Sequence, residues 1–75
     1  MNPNEIKKIK RTAEKMKKQL IKKAEKKGIY ENFGQKEVRK LTDMIGSNLY
    51  TAPQEVRNVL FNFHNWCMNY TGGVE

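Results

Sequence analysis

The sequence predicts an all-α fold, a small three-helix bundle with a long basic N-terminal helix. Three observations carry that reading. Apolar residues recur at three- and four-residue intervals in three separate stretches, the spacing of one helix face. Each stretch begins at a capping or proline signal, and glycines follow all three. No stretch shows the apolar-polar alternation of a strand.

The first helix is predicted over residues 3–27. Asn2 can cap it, Pro3 sits at the first helical position, and Glu5 can close a capping box. Its apolar residues are Ile6, Ile9, Ala13, Met16 and Leu20, then Ile21 and Ala24. They form one stripe. Gly28 is the expected positive-φ residue at its end, with Ile29 folding back on Ala24. At 1.5 Å per residue the helix spans roughly 37 Å.

Asn32 and Gln35 have capping-box spacing, which predicts a second helix from there to Ile45. It buries Val38, Leu41 and Ile45, with Met44 as an addition, and Gly46 stops it. A loop Ser47-Asn48-Leu49-Tyr50 leads to Thr51, the expected cap of a third helix over residues 52–71. Pro53 falls in its first turn, where proline is tolerated. Val56, Leu60, Phe63, Cys67 and Tyr70 make its stripe, widened by Val59 and Trp66, and Gly72-Gly73 end it. Phe61 and Met68 fall off the stripe and are candidates for an exposed contact. The second and third helices, at roughly 18 and 30 Å, are too short to cover the first together along its length. The Ile6–Leu20 seam is therefore expected to protrude or to pair with a second copy or another protein.

Seventy-five residues make one domain with a thin core, since so short a chain buries only about 60% of its unfolded surface. It divides into the basic helix, residues 3–27, and a neutral, aromatic-rich body, residues 29–71. Net charge is +7. Eleven of the fifteen basic side chains lie in residues 1–28, against three acids, and all seven aromatics come after residue 29. The lone Cys67 excludes an intramolecular disulfide and fits a reducing cytoplasm. No apolar run approaches the roughly 18 residues of a membrane span, and no signal-peptide core is present.

The charge defines the first candidate site. At 100° per residue Lys7, Lys8, Arg11, Lys15, Lys18, Lys22 and Lys26 fall within about 100°, opposite the apolar stripe. They extend along roughly 28 Å. A polyanion displacing counterions from such a ridge gains free energy. The alternative is a solvated face of a lysine-rich helix. The second candidate is Tyr30 to Lys40. Here a helix N-terminus offers backbone N–H groups, Gly34 permits close approach, and Lys36, Arg39 and Lys40 add charge. Tyr30 and Phe33 can stack on a ligand or anchor it, or can plug the end of the bundle.

Other chemistry is poorly supported. His64 and Cys67 stand three apart on one helix, but zinc needs four ligands and the chain has no second Cys or His. Neither a phosphate-binding glycine loop nor a supported carboxylate pair occurs, so neither catalysis, a metal nor a cofactor is expected. A helix-turn-helix is weak because the presumed recognition helix carries only Arg57 as a positive charge.

The stretch Lys27-Gly28-Ile29-Tyr30-Glu31-Asn32-Phe33-Gly34-Gln35-Lys36-Glu37-Val38-Arg39-Lys40-Leu41 resembles a segment of small bacteriophage and prophage proteins. Phe63-His64-Asn65-Trp66-Cys67 resembles their closing aromatic-Trp-Cys helix. The resemblance spans roughly residues 20–70. It implies a phage or mobile-element accessory protein in the host cytoplasm, acting on nucleic acid or a host factor. The expected function is nucleic-acid binding through the basic helix. The alternatives are a protein-binding modulator of a host enzyme that grips an acidic surface, for example an anti-defence protein, and a self-associating structural module.

Overall fold

The computed structural model describes residues 2–46 and 51–71. It contains three helices, α1 (Pro3–Lys27), α2 (Gln35–Ile45) and α3 (Gln54–Asn69), and no strand among the described residues. The all-α reading holds, with α1 at the predicted bounds.

The start of α1 is chemically determined. The Asn2 side-chain oxygen accepts from the Glu5 backbone N–H at 2.9 Å, and the Asn2 amide donates to the Glu5 carboxylate at 3.0 Å. The reciprocal closure thus runs through the asparagine side chain rather than its backbone N–H. Gly28 ends the helix at φ 77°, its N–H donating to Ala24 O at 2.8 Å. Ile29 does not fold back; it is 47% exposed.

The predicted capping box of α2 is not formed. Asn32 takes φ 63° and its carbonyl accepts from Gln35 N–H at 3.0 Å, closing a turn ahead of the helix. Gly34 is the N-cap instead, in the left-handed region at φ 80°. The reason is tertiary: a Cβ on Gly34 would sit 2.3 Å from Cys67 Sγ, so the turn is pressed against α3. Met44 lies outside the core, and the residue buried in its place is Glu37.

The third helix begins two residues later than predicted. Pro53 is its N-cap, with extended ψ of 148°, and its carbonyl accepts from Val56 and Arg57. Proline biases the residue before it away from helical geometry, so Ala52 stays outside although it is buried. The helix ends at Asn69, because Tyr70 turns extended. That turn stacks its ring on Phe33, centroids 5.2 Å apart and planes 11° apart. The predicted 47–50 loop and the Gly72-Gly73 stop lie outside the described residues.

Two contacts orient the bundle. Lys10 pairs with Glu55, and Lys17 lies over the Trp66 ring, 5.8 Å from its centroid. Both chains of contacts ascend together, so α3 runs parallel to α1. Lys23 pairs with Glu37 at the start of α2, which descends between them. The seam is covered as a result: Ile9, Ala13, Met16 and Leu20 are each 9% exposed or less. The expectation of a protruding or self-pairing seam is overturned. Helix length alone underestimated coverage, because α2 and α3 pack against the same stretch of α1: α3 runs beside it from Lys10 past Lys17, and α2 descends from Lys23. Phe33 is the hub of that closure, within 6.3 Å of Trp66 and 5.4 Å of Tyr30 by centroid.

Candidate nucleic-acid interface

Lys7, Lys8, Arg11, Lys15, Lys18, Lys22 and Lys26 are all exposed, and none makes an ion pair among the described residues. They occupy the side of α1 away from Ile9, Ala13, Met16 and Leu20, so the helix commits one face to the core and the other to solvent. The cations that flank the ridge behave differently. Lys10 is drawn to Glu55, Lys17 to the Trp66 ring and Lys23 to Glu37, at 3.8 Å. Three of the four α1 cations off the ridge are thus engaged by the body, Lys27 being the exception among the described contacts. A shallow groove of about 490 Å³ runs along its N-terminal half, lined by Asn4, Lys7, Lys8, Arg11, Thr12 and Lys15 with no acid among them.

The Tyr30–Lys40 segment is assembled in part. Lys36 and Arg39 line a cavity of about 460 Å³ with Lys23, Tyr30, Glu31, Asn32, Gln35 and Glu37. Lys40 is exposed but does not line it. Phe33 is not available for stacking, being 6% exposed and packed among aromatics; only Tyr30, 43% exposed, keeps an accessible ring. Gly34 is buried beneath Cys67, so its missing side chain serves core packing and not ligand approach. Two acids in the lining, one of them the buried Glu37, weaken any attraction for phosphate. Periodicity could not find Glu37: it is a polar residue one position before Val38 on the face that α1 and α3 both approach.

Cys67 is buried, and burial pushes its thiol up to about 11, with the Glu37 charge adding to the shift and Lys17 opposing it. A nucleophilic role needs thiolate at neutral pH, which this site disfavours. No group of three His, Cys, Asp or Glu positioned to hold a metal occurs among the described residues, and no described helix is long and apolar enough to cross a membrane. Phe61 and Met68 are exposed at 54% and 68%, as their off-stripe positions require.

No family model matches the chain, and neither a curated protein nor a solved structure is significantly similar to it.

Proposed function

We propose that the protein is a nucleic-acid-binding module whose phosphate contacts come from Lys7, Lys8, Arg11, Lys15, Lys18, Lys22 and Lys26. One observation carries the reading: the fold engages the flanking cations Lys10, Lys17 and Lys23 and leaves the seven ridge cations exposed and unpaired among the described residues. Ridge neighbours three and four apart repel, costing a few tenths of a kcal/mol per pair in the free helix. A polyanion removes that cost and releases counterions. The resemblance of Lys27–Leu41 to phage and prophage proteins supports an accessory role in a host cell for this binding. An acidic protein surface is the competing partner for the same cations.

The test is reversal of Arg11, Lys15, Lys18 and Lys22 to glutamate. Four glutamates at those spacings repel about as four cations do, so helicity should stay near the wild-type value. Affinity for duplex DNA or RNA should fall at least about a hundredfold, and the wild-type plot of log affinity against log salt should slope at about −4 to −6 for four to seven contacts. Wild-type affinity in a folded quadruple variant would return the ridge to a solvated face. Capture of one host protein that survives nuclease treatment would favour the acidic-surface partner.

A further inference from the structure

The cavity of about 460 Å³ beside the first turn of α2 holds an acid that the fold leaves unsatisfied. Glu37 lines this cavity and is only 8% exposed. Its carboxylate accepts no hydrogen bond among the described residues, and its one ion pair there, to Lys23, is 3.8 Å long, beyond hydrogen-bond reach. A carboxylate has about four lone-pair sites, and burying it while they stay empty costs free energy. The first turn of a helix favours negative charge, which accounts for an acid here but not for its burial. Around it, Lys23, Lys36 and Arg39 are exposed cations and Glu31 is an exposed acid. Tyr30 adds an accessible ring, held edge-on against Phe33 at 5.4 Å, and the half-buried Gln35 adds an amide.

These parts select a ligand. The carboxylate needs adjacent hydrogen-bond donors. A cation supplies them, but it meets three cations against two acids in the same lining. A neutral donor edge attached to an anion avoids that repulsion, and its anion gains the cations. A nucleotide has this form. Guanine carries two donors side by side, N1–H and N2–H, on its Watson–Crick edge, and they match the two carboxylate oxygens. Adenine and cytosine set a ring-nitrogen acceptor beside their amino donor, and uracil flanks its one N–H with carbonyls. Each of these turns an acceptor toward a carboxylate oxygen. We propose that the cavity binds a guanine nucleotide. Glu37 accepts from N1–H and N2–H, Gln35 donates to O6, Tyr30 stacks on the base, and Lys36 and Arg39 hold the phosphate. The cavity volume falls within the roughly 300–1,000 Å³ of small-molecule sites. None of the seven ridge cations lines it, so the proposal stands without the ridge reading.

Titration of the full chain with guanosine 5′-monophosphate tests this, read by amide chemical shifts at about 0.3 M NaCl to screen the ridge. Shifts should centre on Tyr30, Gln35 and Glu37, with a dissociation constant below about 1 mM. Adenosine and cytidine monophosphates should bind at least about tenfold more weakly, and inosine monophosphate, which lacks the N2 donor, should fall between. Glu37→Gln keeps the size, removes the buried charge and should abolish the preference for guanine. The nucleotide series on the wild type decides the matter even if that variant fails to fold. Lys36→Gln with Arg39→Gln should weaken the monophosphate at least about threefold and leave guanosine unchanged. A short single strand with one guanine that binds at least about tenfold tighter than the monophosphate would support the site with a strand as its carrier, and equal affinity would support it with a free nucleotide. Equal affinity for all the nucleotides, shifts confined to the ridge, free arginine bound in preference, or guanine preference kept in a folded Glu37→Gln variant would each overturn the proposal.

Discussion

Gly34 shows how much one atom decides in a thin core. Its φ of 80° disfavours any residue with a Cβ, and the added carbon would meet Cys67 Sγ at 2.3 Å and Cys67 Cβ at 2.9 Å. The sulfur is the end of a side chain locked in the core, so relief requires α3 to move. Gly34→Ala should therefore destabilise by about 2–4 kcal/mol, combining left-handed strain with overpacking. Adding Cys67→Ala removes the sulfur and should recover part of that loss, so the two changes are not additive. Urea denaturation of both single variants and the double variant gives the coupling; strictly additive losses would mean that strain, not the sulfur contact, sets the cost. The glycine was visible in the sequence and its reason was not. A capping reading of Asn32 and Gln35 used only neighbours in the chain, while Cys67 is 33 positions away from Gly34.

At the scale of the element, α1 is divided into three strips: a buried seam, a flank of cations engaged by α2 and α3, and the ridge. The seam and the ridge follow from the 3.6-residue repeat, which sets which side chains share a face. The middle strip does not, because Lys10, Lys17 and Lys23 acquire their roles only when Glu55, Trp66 and Glu37 arrive beside them. This division makes a prediction about equal charge at unequal places. The triple variant Lys10→Gln, Lys17→Gln, Lys23→Gln should keep most nucleic-acid affinity and lose about 1–3 kcal/mol of stability. Lys23 should account for most of that loss, since the carboxylate it leaves behind is nine-tenths buried. Arg11→Gln, Lys15→Gln, Lys18→Gln removes the same charge and should show the reverse, weakened binding with stability kept. Filter binding and chemical denaturation on the two triple variants read both quantities. Equal loss of affinity in the two would show that net charge, not the ridge, drives binding.

The whole molecule carries +7 on a body with a long dimension of 37 Å, so like charges cannot move far apart. Self-repulsion of this kind lowers the stability of the free protein and is screened by salt. Between about 20 and 300 mM NaCl the melting temperature should rise by a few degrees, while nucleic-acid affinity falls. The Lys10–Glu55 and Lys23–Glu37 pairs act in the opposite direction, but the first is exposed on both sides and contributes at most about 1 kcal/mol. A melting temperature that drops with salt would place the balance with those pairs. The sequence by itself determined the helix count, the bounds of α1, the inner faces of α1 and α3 and the location of the ridge, because each depends on residues within a few turns of one another. Only the tertiary structure decided that the seam is closed within the chain from Ile9 to Leu20 and that Phe33 is a core hub. It also decided that Glu37 is buried and that Gly34 yields to Cys67. Those outcomes depend on which surfaces meet across the bundle, and a periodic pattern gives the faces of a helix without saying what will lie against them.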